Sequence, residues 1–429
     1  MNIVHIASTI HGGAGTGMLR YREAMLSVGL KSRVVVAWDS PSGEPCVAVS
    51  PRKSLSPLCR VARRVCVELD PSSRMLKVIK YLDSAAGRQP SYELFSPPFS
   101  NCTPEEHPWV QEADVVNLHW VAGTVDWPRF FRKVRKPVVI TLHDQQPYLG
   151  GFHYAQDLEE NPWLGGIESN VRETKRAALK GHQVAVIGNS EWNTREAEAS
   201  GFFPSGTHYH TVYYPLDTTV YTPRPKDAAR VALGIEPARA VIGFACEDLN
   251  NRRKGFDVLL DALRLLPGSF VSRCCLLSFG REASQQVRDR VPMPWLHLGH
   301  LQGDAIKVAA YSAMDLFVVP SRAEAFGQTA IEAIACQTPV VGSREGGLTE
   351  AIFQGEGGIL FETGNPKALA EAIGSLLESP ELRAALAGRG RALIVERHDA
   401  GKIARQLLAV YQAALSCTRA GVERDARNA

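Results

Sequence analysis

The sequence predicts an α/β protein with two Rossmann-like domains, each built on a parallel sheet, and three observations carry that expectation. The chain has 429 residues, and a soft prior of roughly 150 residues per domain leaves room for two such domains with sizeable cores. Short runs rich in Val and Ile recur, each followed by a polar turn and an amphipathic stretch, the pattern of parallel strands covered by helices on both faces. The rhythm pauses at a proline-bearing stretch and then begins again.

The strand candidates of the first half are Ile3 to Ala7, Arg33 to Ala37, Asp114 to Leu118, Val138 to Leu142 and Val184 to Gly188. Those of the second half are Ala240 to Ala245, Cys274 to Phe279, Leu316 to Val319, Pro339 to Val341 and Gly358 to Phe361. Between the sets lies Thr218 to Asp227, where Pro223 and Pro225 cannot continue a helix or a central strand, and this stretch is expected to connect the domains. The expected domains are therefore 1–222 and 223–402. From Pro366 onward the pattern is helical, with Leu369, Ile373 and Leu376-Leu377 at helical spacing, followed by Ile403, Leu407-Leu408 and Tyr411. A C-terminal helix at about 403–418 is expected to pack back on the N-terminal domain, and polar residues 419–429 to form a flexible tail.

At 45% hydrophobic and 22% charged, the composition is that of a soluble globular protein, neither membrane-embedded nor disordered. A net charge of +3 over so large a surface does not argue for a nucleic-acid binder, which concentrates Lys and Arg on one face. Nine cysteines, Cys46, Cys59, Cys66, Cys102, Cys246, Cys274, Cys275, Cys336 and Cys417, are scattered without a disulfide framework and read as reduced core residues. The close pairs His208 with His210 and His297 with His300 lack neighbouring thiolates or carboxylates to complete a zinc shell, so no metal site is expected. Asn2 to Ser8 carries no basic leader, and nowhere do about 18 apolar residues run together, so the expected location is the cytoplasm.

One segment departs from this rhythm. Between Pro51 and Tyr81, Arg52, Lys53, Arg60, Arg63, Arg64, Arg74, Lys77 and Lys80 face only Glu68 and Asp70, while Leu58, Val61, Val65 and Leu69 recur at helical spacing. Such a segment is either a solvated helix packed on its domain or a basic amphipathic helix that touches an anionic membrane surface.

Four stretches carry candidate chemistry. The glycine-rich run His11-Gly12-Gly13-Ala14-Gly15-Thr16-Gly17 follows the first strand and precedes a helix expected to begin near Met18, where bare backbone and free N–H groups suit a phosphate. It fails the dinucleotide fingerprint, because Met18 or Arg20 stands where the last glycine is needed; an oxidoreductase using Asp39 on a ribose is the rival reading. In Pro320-Ser321-Arg322-Ala323-Glu324-Ala325-Phe326-Gly327, a helix beginning near Gly327 places Glu324 in the preceding loop and Glu332 in the second turn. Both carboxylates can then accept hydrogen bonds from one hydroxyl-rich ligand, or they are simply a capping acid and a surface acid. Asn250-Asn251-Arg252-Arg253-Lys254-Gly255-Phe256 sets guanidinium beside ammonium after a strand, suited to a diphosphate, or else forms a solvated basic turn. Thr141-Leu142-His143-Asp144 ends a strand with a histidine that either bonds substrate or is a satisfied structural residue.

Together these stretches resemble the family-4 glycosyltransferases of the GT-B fold, over nearly the whole chain. Glu324 to Glu332 is similar to that family's E-x7-E motif, within a stretch that runs from Pro320-Ser321 to Gly346-Gly347 and includes Cys336, Pro339-Val340-Val341 and Glu350. The resemblance implies two facing Rossmann-like domains with an interdomain cleft. It assigns donor-sugar hydroxyls to Glu324, the nucleotide ribose to Glu332, and sugar and phosphate to the backbone amides of Phe326, Gly327 and Gln328. Gly12 and Gly13 would approach the diphosphate and Lys254 would grip it. The family's Arg-x4-Lys pattern is broken here by Leu249, so Arg253 or Arg252 must substitute. Asn117-Leu118-His119-Trp120 and the stretch from Thr141 through Gly150-Gly151-Phe152-His153-Tyr154 are also similar, with Phe152 where the family usually has Cys, a departure expected to bear on loop packing.

The implied reaction moves a sugar from a nucleotide-diphosphate donor to a saccharide or lipid-linked saccharide acceptor with retention, in bacterial surface or exopolysaccharide synthesis. Arg253, Lys254 and helix N-termini stabilise the leaving diphosphate in place of a metal, His143 orients the donor sugar, and no cofactor is required. The basic segment 51–81 would hold the enzyme at the inner face of the membrane. A GT-B nucleotide-sugar 2-epimerase and a non-catalytic scaffold are the alternatives.

Overall fold

The computed structural model describes residues 1–38, 47–50, 74–75, 77–80, 92–236, 238–281 and 285–428, with backbone alone for 286 and 418–428. Asp39, Cys46, Cys59, Cys66 and most of the basic segment 51–81 lie outside the described residues. The contacts divide the chain into two units, Met1–Val212 with Ile403–Ala429, and Tyr213–Lys402.

The first unit contains a seven-stranded sheet of β1 (Asn2–Ala7), β2 (Lys31–Val36), β3 (Val47–Val49), β4 (Val115–Leu118), β5 (Val138–Leu142), β6 (Val184–Gly188) and β7 (His208–Thr211). Their order across the sheet is β3-β2-β1-β4-β5-β6-β7, and every pairing is parallel. The second unit holds β8 (Ala240–Cys246), β9 (Cys274–Gly280), β10 (Trp295–His297), β11 (Leu316–Val319), β12 (Val340–Ser343) and β13 (Gly358–Phe361). They lie in the order β10-β9-β8-β11-β12-β13, again all parallel. Both orders are doubly wound, with a topological switch point between β1 and β4 in one sheet and between β8 and β11 in the other. The central strands are buried along their whole length, which is why they read as unbroken apolar runs. Three strands escaped the sequence pattern, β3, β7 and β10; all three lie at sheet edges, and β7 and β10 carry no buried residue.

One face of the first sheet packs Val4, Ile6, Val116, Leu118 and Ile140 against Trp127, Phe130 and Phe131. The opposite face of β1 and β2 packs Ala7, Val34 and Val36 against Met18 of the helix Gly12–Ser27. On that same face, strand alternation places His5 beside its register partner Asn117, with Ser32 opposite Ile3. A parallel-sheet interior with polar residues must pair them internally, and Asn117 accepts from Thr141 Oγ1 at 2.9 Å and donates to Tyr411 Oη at 2.7 Å. Tyr411 lies on the C-terminal helix Ala400–Asn428, which therefore returns to the first unit. That helix continues to Asn428, past the point at which polar composition predicted a flexible tail, because Ala, Arg and Glu in the stretch are good helix formers.

The second unit starts earlier than the prolines suggested. Tyr213 Oη donates to Glu350 Oε2 at 3.0 Å, Leu216 N–H donates to the carbonyl of His398 at 3.0 Å, and Arg391 Nη1 donates to the carbonyl of Tyr221 at 2.9 Å. These bonds tie 213–222 to the unit that follows. Its core joins Phe244, Leu259, Leu263, Val318 and Val341 to Leu369, Ile373 and Leu376. Six cysteines, Cys102, Cys246, Cys274, Cys275, Cys336 and Cys417, are free thiols among the described residues, and the first five are buried. No described helix is long and apolar enough to cross a membrane.

If the buried amide of Asn117 depends on the C-terminal helix, Tyr411→Phe leaves that donor unpaired without opening a large cavity. The variant should lose about 1–3 kcal/mol of stability, read as a lower urea midpoint with an unchanged slope.

Candidate functional site

Parallel strands deliver their following loops to one edge of the sheet, and in the second unit the loops after β8 and β11 flank the switch point. The β8 loop makes one 3-10 turn, Arg252–Lys254, opened by Asn251, whose side-chain oxygen accepts from the Arg253 N–H at 3.0 Å. Gly255 then takes a left-handed φ of 69° and the chain enters the helix Phe256–Leu265. A Cβ on Gly255 would lie 1.9 Å from the carbonyl oxygen of Pro320, so glycine is needed there both for its φ and for the close approach of the two loops. The β11 loop answers with main-chain contact, the Arg322 N–H donating to the Arg253 carbonyl at 2.7 Å. Arg322 Nη1 and Nη2 also form a fork on Asp257, at 2.8 and 2.7 Å.

This clamp brings three of the expected residues together. Lys254 Nζ donates to Glu324 Oε2 at 2.7 Å, and Arg253 Nη1 lies 3.8 Å from the same oxygen while donating to the Ala323 carbonyl at 2.9 Å. Ser321 Oγ donates to that carboxylate at 3.3 Å, and the Gly347 N–H donates to the Glu324 carbonyl at 3.0 Å. Burial alone would raise the Glu324 pKa, but the Lys254 ammonium and the Arg253 guanidinium outweigh it and hold the carboxyl below its usual range. Arg252 is exposed, and its carbonyl accepts from Arg322 Nη1 at 2.6 Å.

Glu332 is placed differently. The helix Gln328–Ala335 starts after Gly327, whose φ is 107°, and it carries Glu332 into the interior, where Oε2 accepts from Tyr311 Oη at 2.8 Å. Sequence reasoning missed Tyr311, Ser321 and Asp257. Burial and the Glu332 charge push the Tyr311 phenol well above its ordinary pKa, so it stays a donor. Phe326 is buried against Tyr214, with ring centroids 5.5 Å apart, which fixes the chain entering the helix at Gly327 and Gln328.

In the first unit the glycine-rich run is not a turn before a helix that begins near Met18. The helix itself begins at Gly12, at a φ of 70°, because a Cβ on Gly15 would meet the Ile10 carbonyl carbon at 2.3 Å and the missing side chain lets the first turn close on that backbone. Gly12 and Gly13 are exposed at its N-terminal end. His143, directly after β5, is buried, and its Nε2 lies 2.8 Å from His119 Nδ1. The loop beyond it is tied down by the helix Gly165–Leu179. Glu168 accepts from the N–H groups of Gly150, Gly151 and Phe152, and Lys175 Nζ donates to the carbonyls of Gln146, Leu149 and Gly150. Phe152 packs edge-on against Phe95 at 5.0 Å and Tyr92 at 5.5 Å, so its ring fills the loop's interior.

The chain resembles known proteins at two levels. Alr3699/HepE of Anabaena, solved in complex with UDP and glucose, matches with a TM-score of 0.69 over 96% of this chain and all of that one, at 19% identity. WaaG, a glycosyltransferase involved in lipopolysaccharide biosynthesis, matches at 0.63 over 94% and 98%, at 17% identity. The fold is accordingly GT-B. Residues 239–379 match the model of the glycosyl transferases group 1 family. Among curated proteins, the D-inositol 3-phosphate glycosyltransferase of Mycolicibacterium gilvum is 30% identical over 277 residues, 61% of this chain and 58% of that protein. The one from Segniliparus rotundus is 36% identical over 213 residues, 47% and 46%. The chain thus spans about half the length of the curated relatives it matches. The match to the glycosyl transferases group 1 model lies wholly within the second unit.

The clamp at Gly255 gives a direct test. Gly255→Ala should cost about 1–3 kcal/mol from the left-handed φ alone, and its contact with Pro320 should spread to the Lys254–Glu324 pair. The expected result is a lower melting temperature in calorimetry.

Proposed function

We propose that the protein transfers a sugar from a nucleotide-diphosphate donor to a hydroxyl of an acceptor, and that the Lys254, Arg253 and Glu324 cluster at the end of β8 and β11 is where the donor is activated. The observation that carries this reading is the 2.7 Å contact between Lys254 and Glu324 inside the stretch that matches the glycosyl transferases group 1 model. Cations beside an acceptor-only carboxylate suit a ligand whose diphosphate is anionic and whose sugar presents hydroxyl donors. Arg253 is taken as the arginine of the cluster, since its guanidinium lies 3.8 Å from the Glu324 carboxylate.

In the proposed reaction, Lys254, Arg253 and the amides of Phe326, Gly327 and Gln328 hold the diphosphate while the bond from the anomeric carbon to the phosphate oxygen breaks. The acceptor oxygen bonds to that carbon on the same face, and its proton passes to the departing phosphate oxygen, so configuration is retained and no enzyme nucleophile or metal is required. Glu324 binds sugar hydroxyls, Glu332 the ribose, Gly12 and Gly13 the diphosphate, and His143 orients the donor sugar. These assignments follow the resemblance to family 4. HepE was solved with UDP and glucose, which makes UDP-sugars the first donors to try. The names of the relatives point to D-inositol 3-phosphate as one acceptor and to lipopolysaccharide precursors as another, and a cytoplasmic enzyme at the inner membrane face, held through residues 51–81, would meet the second.

The test is release of nucleoside diphosphate with and without each acceptor. Glu324→Ala and Lys254→Ala should each lower transfer by about 100-fold or more while melting as folded proteins, and wild-type turnover in either would overturn the assignment. Tyr311→Phe, which removes the phenol that orients Glu332, should raise the donor KM by about fivefold with little change in kcat.

A further inference from the structure

Three histidines from three neighbouring strands of the first unit touch in series. His5 lies on β1, His119 directly follows β4, and His143 directly follows β5. His143 Nε2 is 2.8 Å from His119 Nδ1, His119 Nε2 is 2.7 Å from His5 Nδ1, and His5 Nε2 is 3.0 Å from Ser32 Oγ on β2. All four side chains are buried, and all three contacts lie in hydrogen-bonding range.

A neutral imidazole has one N–H and one lone pair, so a row of three is directional and one choice of proton fixes every ring. The rings are held neutral. Burial, reinforced by nearby Arg22, lowers His5 to about 3, burial with the two flanking rings lowers His119, and burial lowers His143 to about 4 against the opposing pull of Asp144.

Ser32 decides the direction. Its hydroxyl has His5 Nε2 as its side-chain partner, and no other acceptor for it occurs among the described residues. Were Nε2 of His5 protonated, Ser32 would accept that proton and its own buried O–H would have nowhere to go, which a folded interior avoids. The hydroxyl therefore donates to His5 Nε2, His5 Nδ1–H donates to His119 Nε2, and His119 Nδ1–H donates to His143 Nε2.

We propose that Ser32, His5 and His119 are positioning residues that lock His143 with its proton on Nδ1, making Nδ1 the ring's donor. The lock stands on the contacts alone; that the Nδ1 donor serves the transfer rests on the function proposed above.

The test is nitrogen-15 NMR of histidine-labelled full-length protein, with His5, His119 and His143 assigned by single substitutions. In the wild type all three rings should show a protonated Nδ1 and an unprotonated Nε2, and a protonated Nε2 at His143 overturns the proposal. His119→Phe removes the donor to His143 Nε2, so His143 should revert toward the Nε2–H form that free imidazole side chains prefer, with kcat about tenfold lower. His119→Asn, whose amide nitrogen on Cγ can donate in place of Nδ1–H, should restore both. A His143 tautomer indifferent to His119→Phe also sinks the lock. A tautomer that shifts while transfer stays at the wild-type rate supports the lock and removes His143 from the reaction, which separates the two ideas.

Discussion

Strands that run parallel all end on one edge of their sheet, and that constraint governs where chemistry lies in each unit of this protein. Loops far apart in sequence become neighbours when the strands they follow are adjacent, and strand order decides which ends meet. In the second unit β8 and β11 are adjacent, so the basic turn after one and the acidic loop after the other converge, and Lys254 reaches Glu324 across 70 residues of sequence. In the first unit β1, β4 and β5 are consecutive in the sheet, which lines up His5, His119 and His143.

The two units use polar groups in opposite ways. The cluster in the second is charged and part-exposed, with Lys254 at 27% and Glu324 at 13% side-chain exposure, so it can exchange partners with a ligand at modest desolvation cost. The network in the first is buried and runs from Tyr411 through Asn117 to Thr141, and from Ser32 through His5 and His119 to His143. Neutral, satisfied networks in a low-dielectric interior are stiff, because any single reorientation strands a buried donor. One arrangement leaves its groups within reach of solvent, the other encloses them.

Much of this was legible in the sequence where residue type and strand end coincide. All ten expected strands formed, because a strand buried on both faces reads as a continuous apolar run. β7 and β10 were not legible: His208-Tyr209-His210-Thr211 is half in water at a sheet edge, and its composition carries the exposure rather than the pairing. The glycine run before Met18 reads as a turn, yet those glycines serve the close contact of Gly15 with Ile10 inside a helix. Tyr311 stands at an apolar helical position, and nothing near it in sequence announces that its hydroxyl meets Glu332 on the next helix. The histidine row had a signal that went unused. Strand alternation puts His119 on the same side as Asn117, and Asn117 pairs in register with His5, so three polar residues in otherwise apolar strands shared one face.

The depressed pKa of Glu324 bears on what kind of site this can be. A neutral carboxyl would carry a proton of its own and compete with a sugar hydroxyl for the role of donor, whereas a carboxylate can only accept. Lys254 and Arg253 enforce the second state despite the burial that favours the first. Under the proposed function the same two cations face the diphosphate, so bound substrate and Glu324 draw on one pair of positive charges. Binding of the anion would then weaken the hold on Glu324 at the moment its oxygens gain sugar hydroxyls as donors, and the carboxylate would exchange one set of hydrogen bonds for another without ever being left unpaired.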